Sequence, residues 1–157
     1  MSTIDIGGGD FTSLNNMISG YTFMDDVNRA NATGSLDTMQ FRVKSTTING
    51  LKMGTFPLGT KVVRDYENLG DGFAVGLRTV TGLNCSVVTD DVLGAYFTAG
   101  DMTLTAAGGS STTEYYYKGN GFDGGSHTYS SQNYQAAMSA TGTTAAAGNP
   151  YYYYLQQ

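Results

Sequence analysis

One alternating segment constrains the fold of this chain more than any other feature. Residues 36–44 carry apolar side chains at Leu36, Met39, Phe41 and Val43, with mainly polar or charged side chains between them. Successive side chains of a β-strand point to opposite faces of a sheet, so this spacing predicts a strand with one buried and one wet face. Because no segment shows a convincing helical period, the chain is expected to be built from strands.

The composition favours a packed, strand-rich protein of one domain. Of 157 residues, 22 are Gly and 12 are Tyr, 40% are hydrophobic and only 13% are charged. Aromatic and β-branched side chains suit pleated surfaces, and glycine suits the turns between them. A chain of this length can bury one core without disulfides.

The charge of the chain argues against a nucleic-acid-binding surface, and its cysteine content excludes sites built from several cysteines. The 8 basic and 13 acidic residues give a net charge of 8 − 13 = −5, and no basic stripe is present that could neutralise the phosphates of a nucleic acid. Cys85 is the single cysteine, so the sequence allows neither an intrachain disulfide nor a cysteine-based zinc site. We expect Cys85 to lie buried on a strand.

Short strands are predicted at close spacing along the chain, with tight turns between them. Asn49-Gly50 predicts a β-hairpin, because both residues tolerate a positive φ, and Thr81-Gly82 predicts a turn between two strands. Eight to ten such strands without intervening helices predict an all-β, jelly-roll-like antiparallel β-sandwich. Thr47-Ile48 flanks the predicted hairpin, and besides the opening segment the predicted strands are Tyr21–Met24, Leu51–Phe56, Lys61–Tyr66, Phe73–Val80, Leu83–Val88, Val92–Phe97, Met102–Ala106, Glu114–Lys118 and Tyr151–Leu155.

The remaining segments are assigned within a single domain spanning residues 1–157. Residues 1–19 are expected to form an N-terminal arm, in which residues 14–18 are the only candidate for a short helical turn. Residues 136–149 are rich in Ala, Thr and Gly and are predicted to be a flexible loop or arm, and residues 150–157 a terminal Tyr-rich strand.

Seven tyrosines are the candidate functional residues. Strand alternation prevents consecutive tyrosines from facing a single core, so some of them must point outward. Exposed aromatic clusters either stack on sugar rings or anchor a protein interface, and protein contact is the favoured interpretation, although packing between sheets accounts for part of the set. The candidates are Tyr115, Tyr116, Tyr117, Tyr151, Tyr152, Tyr153 and Tyr154.

Other motifs predict no chemistry. Residues 119–124 match a dinucleotide-binding glycine pattern but are followed by Gly and Ser rather than by a helix. His127 lies in a Gly/Ser loop, and no nucleophile signature surrounds it. Asp90-Asp91 and Asp101 could supply oxygens to calcium, but aspartates commonly serve turns. We therefore predict no catalytic residue, no cofactor and no metal site, and no enzyme activity.

The chain resembles jelly-roll-type β-sandwich modules of phage virion proteins and metagenomic virus-like sequences. The order and spacing of several short motifs carry this resemblance, which is weak over residues 120–157. The matching segments are Ile4–Gly7, Asn28–Thr38, Gly54–Phe56, Arg64-Asp65, Gly82–Val88, Val92–Gly100 and Glu114–Gly119.

The resemblance implies a non-enzymatic structural protein of a phage virion, either a head decoration or a short tail- or head-fibre component. Its expected partners are its own copies and capsid or other virion proteins, and surface glycans are a further possibility; neither nucleic acid nor membrane is expected. The chain shows no signal peptide and no apolar run of about 18 residues, which agrees with assembly in a host cytoplasm and exposure on the particle. The alternatives are a carbohydrate-binding adhesin module and an extracellular filament subunit that donates its terminal strand.

Overall fold

A computed structural model describes residues 2–106 and 114–145, and these residues form two antiparallel β-sheets packed as a sandwich. The predicted all-β sandwich is therefore confirmed. The described residues form thirteen strands, more than the eight to ten expected, because segments predicted as arms and loops also contain strands. The strands are β1 (Thr3–Gly7), β2 (Asn15–Ile18), β3 (Tyr21–Asp25), β4 (Gly34–Val43), β5 (Leu51–Pro57), β6 (Asp65–Gly70), β7 (Gly76–Val87), β8 (Asp91–Tyr96), β9 (Asp101–Ala106), β10 (Glu114–Lys118), β11 (Ser130–Gln132), β12 (Tyr134–Ala136) and β13 (Met138–Thr144).

The larger sheet has seven strands and the smaller sheet has six. In the larger sheet the order is β1-β13-β4-β9-β12, with β7 on the other edge of β4 and β2 on the other edge of β9. In the smaller sheet the order is β11-β10-β3-β8-β5-β6. Consequently β6 and β7 lie on one side of the sandwich, whereas β2, β10 and β11 lie on the other.

The opening alternating segment is the central strand β4, and its apolar side chains form part of the core as predicted. Leu36, Met39, Phe41 and Val43 are all at most 1% exposed. The spacing of three residues between Leu36 and Met39 breaks strict alternation, and the pairing of β4 with β7 shifts at this point, between Leu36 and Thr38. A bulge lets both residues face the same core despite the broken period.

The predicted turn at Thr81-Gly82 is wrong, because β7 runs through it as one strand. Leu36 pairs with Cys85 and Thr38 pairs with Thr81, so β7 has two more residues than β4 between these pairs. Gly82 has a φ of +77° within this bulge, a conformation that glycine adopts readily. The prediction that Cys85 is buried on a strand is confirmed.

Two predicted arms are instead strands of the larger sheet. The N-terminal arm contains β1 and β2, and the predicted helical turn at residues 14–18 is strand β2 preceded by a bend at Leu14. Within the predicted loop at 136–149, residues 138–144 form β13, which pairs with β1 and β4. The local sequence of these segments shows no strong strand pattern. They become strands because they pair with segments that are distant in the chain.

The predicted Asn49-Gly50 hairpin is also wrong. Gly50 does adopt a positive φ of +61°, but the residues before it do not pair with β5. Ile48 instead forms a bridge with Phe73, and Asn49 forms one with Ala99. Tertiary pairing therefore overrides a turn signal that is strong in isolation.

Candidate binding groove

The two sides of the sandwich end differently, and this difference creates the candidate site. On the side of β6 and β7, which we call the closed side, Glu67 Oε1 accepts a hydrogen bond from Asn84 N at 2.9 Å, and Asp65 Oδ2 accepts one from Ser86 N at 2.7 Å. These carboxylates thus satisfy amides on the outer edge of β7. On the side of β2, β10 and β11, which we call the open side, a groove of about 410 Å³ separates the sheets.

The groove is lined by aromatic, apolar and carboxamide side chains from both sheets. None of the eleven described lining residues carries a charge. Its volume is in the range of ordinary ligand pockets. The lining residues are Leu14, Asn15, Asn16, Met17, Ile18, Tyr21, Phe23, Leu104, Tyr116, Gln132 and Tyr134.

Strand β2 forms one wall of the groove along its free edge. Five consecutive residues, 14–18, line the groove, and β2 pairs with β9 on one edge only within the part of the chain that the structure describes. Leu14 is 96% exposed and Ile18 is 54% exposed, whereas Met17 is buried. Lys44 Nζ donates to the carbonyl of Asn15 at 2.9 Å and so fixes the beginning of the strand. The Asn15 N–H also donates to Ser13 Oγ at 3.3 Å, so the wall combines a strand edge that is open beyond Asn15 with apolar side chains exposed to water.

Of the three predicted tyrosines that the structure describes, Tyr116 alone lines the groove. It packs against the main core and lies across from Tyr21 and Tyr134, which sequence reasoning did not select. Phe23 also lines the groove, and its ring centroid lies 6.0 Å from that of Tyr21. Gln132 adds a carboxamide whose Nε2 is already committed to Glu114.

Two buried carboxyl groups lie just beyond the groove on the same face of the smaller sheet. Asp25 and Glu114 are register partners on β3 and β10, and both are fully buried. Two residues away along each strand, Phe23 and Tyr116 are register partners and line the groove. Since alternate residues share a face, the carboxyl pair continues the row of groove-lining side chains into the protein.

The carboxyl group of Asp25 is buried but well supplied with donors. Its Oδ1 accepts from Val27 N and its Oδ2 from Ala136 N, each at 3.0 Å. Burial raises the pKa of Asp25 to about 7; the two backbone N–H groups oppose this shift, and the charge of Asp26 adds to it.

The carboxyl group of Glu114 has fewer hydrogen-bond donors than that of Asp25. Its Oε2 accepts from Gln132 Nε2 at 2.7 Å, whereas its Oε1 is buried and has no hydrogen-bond partner among the residues that the structure describes. Burial raises the pKa of Glu114 to about 8, against the hydrogen bond from Gln132 and together with the charge of Asp25. A buried charged oxygen without a donor is costly, so Glu114 holds a proton at neutral pH.

Tyr115 and Tyr117 lie on the opposite face of β10 from Tyr116, so the structure does not bring the three tyrosines together. Tyr115 packs against a small second core on the outer face of the smaller sheet, with Lys61 Nζ 4.5 Å from its ring centroid. Tyr117 stacks on His127 with centroids 4.3 Å apart. Tyr151, Tyr152, Tyr153 and Tyr154 lie outside the described residues.

His127 is partly buried rather than fully solvated. It stacks on Tyr117, and its Nε2 lies 2.8 Å from Asp123 Oδ1. The glycine pattern at 119–124 is followed by no helix, and Phe122 within it packs into the second core. This loop therefore covers the outer face of the smaller sheet.

The aspartates considered for calcium have other partners. Arg64 binds Asp91 through Nε at 2.6 Å and Nη2 at 3.0 Å. Asp101 accepts from the backbone N–H groups of Ser45 and Thr46. Within residues 2–106 and 114–145, no group of three His, Cys, Asp or Glu side chains is arranged to hold a metal ion. No helix in this part of the chain is long and apolar enough to cross a membrane.

The sequence does not predict most of the residues that line the groove. Only the β2 wall has a pattern in the sequence that could have indicated it. Leu14 and Ile18 are four residues apart, a spacing that favoured a helical turn. In a strand the same residues fall on the face opposite Met17, so the sequence does contain a candidate exposed apolar edge. By contrast, Gln132 and Tyr134 lie in a polar segment without periodicity, and only the fold brings them to Tyr116.

Comparison with protein-family models gives no match for this chain, and comparison with curated proteins gives none either.

Proposed function

We propose that this chain is a non-enzymatic structural module of a phage particle, a head decoration or short-fibre component of jelly-roll type. It joins copies of itself and binds a shell protein, and the open side is the surface that makes these contacts. The observation that carries the proposal is the edge of β2 that no described strand pairs, at a groove whose described lining is uncharged, with Leu14 and Ile18 exposed to water beside it.

The physical argument rests on the cost of leaving such an edge exposed. An unpaired strand presents a row of free N–H and C=O groups to which another chain can add. Apolar side chains at its rim gain about 25 cal/mol for each Å² removed from water. Tyrosines supply large contact area at a small cost in side-chain entropy, which suits a protein interface. The open side therefore favours association, whereas on the closed side the amides of Asn84 and Ser86 are already bound by carboxylates.

Sedimentation velocity of the purified chain over a range of concentrations tests self-association. We expect a concentration-dependent oligomer, and co-sedimentation with empty particles assembled from a shell protein encoded beside its gene. A chain that sediments as a monomer throughout and stays off such particles would contradict the proposal.

A carbohydrate-binding adhesin is the second candidate, and the lining of the groove favours it. Tyr21, Tyr116 and Tyr134 offer aromatic faces for sugar rings, and Asn16 lies beside them with a carboxamide for hydroxyl groups. A glycan array of neutral oligosaccharides tests this function, with Tyr116→Ala as the groove variant and Tyr66→Ala, on the closed side, as the control. Binding lost only with Tyr116→Ala supports it, and a blank array counts against it.

A further inference from the structure

We infer that residues 130–136 form a proton-dependent strap across the open side, held closed by the buried carboxyl groups of Asp25 and Glu114 and released when both ionise. Release would widen the groove, because Gln132 and Tyr134 of the strap line it. The strap depends on contacts within one chain, so it operates whatever the groove binds and goes beyond the proposed function.

The strap joins the two sheets on the open side. Its first part, β11, pairs with β10 in the smaller sheet, and its second part, β12, pairs with β9 in the larger sheet. Only Asn133 separates these two strands, and each of their described ladders contains three residue pairs. Segments with so few backbone hydrogen bonds can open locally, so the side-chain contacts of the strap matter for its closure.

The two buried carboxyl groups hold opposite ends of the strap. Glu114 Oε2 accepts a hydrogen bond from Gln132 Nε2 at 2.7 Å, and Asp25 Oδ2 accepts one from Ala136 N at 3.0 Å. Because Asp25 lies on β3 of the smaller sheet and Ala136 on β12 of the larger sheet, this second bond also ties the sheets together. The strap is therefore fixed at both ends by groups that can change charge.

The surroundings of the pair accept one proton-bearing carboxyl group better than two charges. Asp25 and Glu114 are fully buried register partners, and the Cβ atoms of such partners lie about 5 Å apart. Two negative charges this close in the interior repel each other. Moreover, Glu114 Oε1 has no hydrogen-bond partner among the described residues, so a charge there needs water.

No described cation bonds to either carboxyl group of the pair. Asp26 adds a further negative charge that acts on Asp25. The phenols of Tyr21, Tyr116 and Tyr134 are the titratable groups of the neighbouring groove lining. The other charged residues on the surrounding elements are Asp10 and Arg42, which pair with each other, Asp91, which pairs with Arg64, Asp101, which accepts from Ser45 and Thr46, and Lys118, which is exposed at the end of β10.

Opening of the strap therefore becomes more favourable as pH rises. Burial raises the pKa of Asp25 to about 7 and that of Glu114 to about 8 while the strap is closed, and water would return both pKa values towards their ordinary range. Opening thus releases protons. For each group, the equilibrium constant for opening grows by up to about tenfold per pH unit until the pH passes the raised pKa.

Hydrogen–deuterium exchange at pH 6 and pH 9 tests the strap, with exchange times scaled to the intrinsic amide rates and the chain dilute enough to be monomeric. We expect the protection of residues 130–136 to fall at least about tenfold from pH 6 to pH 9, while β8 keeps its protection. Glu114→Gln cannot ionise and retains an acceptor for Gln132, so it should reduce this fall to less than about threefold.

Two further variants separate the titration from other effects. Asp37→Asn removes an exposed carboxyl group and should leave the fall unchanged. Gln135→Ala removes a contact of the strap that does not titrate, the 2.7 Å hydrogen bond from Gln135 Nε2 to the carbonyl of Gly8, and should lower protection by the same factor at both pH values.

Three results would overturn the strap. Protection of residues 130–136 that is equal at pH 6 and pH 9 shows that ionisation does not release them. A fall as large in Glu114→Gln as in the unaltered chain assigns the pH dependence to other groups. A fall that β8 shares shows unfolding of the whole domain, and this comparison needs only the unaltered chain if Glu114→Gln does not fold. Self-association is measured separately by sedimentation, so the proposed function can fail without the strap, and the strap without the proposed function.

Discussion

The closed and open sides of the sandwich each contain a strand edge with backbone groups that no neighbouring described strand pairs, and the residues beside the two edges differ. The edge that no other described strand pairs belongs to β7 on one side and to β2 on the other. On the closed side, Asp65 and Glu67 cross from the opposing sheet and accept hydrogen bonds from β7 amides. On the open side, a groove separates β2 from the opposing sheet, and none of its described lining residues carries a charge.

This difference shows that a free sheet edge is not by itself a binding surface. Carboxylates at an edge satisfy its amides and repel an incoming backbone carbonyl, so they oppose the addition of a strand. The edge of β2 instead has exposed apolar side chains, Leu14 and Ile18, and aromatic neighbours such as Tyr116. The chemistry beside the edge decides whether another chain is excluded or received.

The largest effect is expected from charges placed on the two sides in turn. The double variant Leu14→Lys/Ile18→Lys should raise the dissociation constant for self-association at least about a hundredfold, because two exposed apolar side chains that association would bury become charged. The closed-side pair Val75→Lys/Leu77→Lys, at residues that are 51% and 40% exposed, should change it by less than about threefold. Sedimentation equilibrium measures both, and equal effects from the two pairs would remove the distinction between the sides.

The second effect is a pH dependence that belongs to the open side. Burial raises the pKa of Asp25 to about 7 and of Glu114 to about 8 in the folded protein. Their contribution to the free energy of unfolding is therefore fully present below about pH 4 and is lost as pH rises through 7 and 8. One pKa unit corresponds to about 1.4 kcal/mol, so the loss should reach several kcal/mol by pH 9.

Urea unfolding between pH 5 and pH 9 measures this dependence. Glu114→Gln cannot ionise and keeps similar volume, so it should flatten the curve and raise stability at pH 9 relative to the unaltered chain. Asp37→Asn, which removes an exposed carboxyl group, is the control and should leave the slope unchanged. Stability that rises from pH 6 to pH 9 in the unaltered chain would contradict the assignment of a neutral Glu114.

The smallest effect is expected on the closed side. Glu67→Ala removes the acceptor for Asn84 N and should lower the free energy of unfolding by about 1 kcal/mol. Glu67→Gln retains an acceptor oxygen and should cost less, which separates the hydrogen bond from the bulk of the side chain. Chemical unfolding monitored by circular dichroism measures both. A loss equal for the two variants would show that the hydrogen bond does not hold this edge.

The sequence carries enough local information to predict the fold class and the central strand. Alternation at Met39, Phe41 and Val43 marks a half-buried strand, and these residues are buried as expected. The sequence predicts two strands where the structure has β7, because glycine at position 82 indicates a turn. The positive φ of Gly82 instead belongs to a bulge, and the bulge follows from the pairing of β7 with β4.

The candidate site was less predictable because it depends on pairing between distant segments. Asp25 and Glu114 are 89 residues apart in the chain, and only the pairing of β3 with β10 makes them neighbours. Similarly, Tyr134 reaches the groove through the pairing of β12 with β9. Local patterns indicate which residues form strands, but they do not indicate which strands become partners.

Hydrogen–deuterium exchange of the unaltered chain, compared between concentrations at which it is assembled and dilutions at which it is monomeric, tests the central claim most directly. We predict that assembly slows exchange at least about tenfold at the amides of β2 that face away from β9, because these amides gain hydrogen bonds, whereas residues 84–87 of β7 exchange at the same rate in both states. Protection gained along β7, with β2 unchanged, would contradict it.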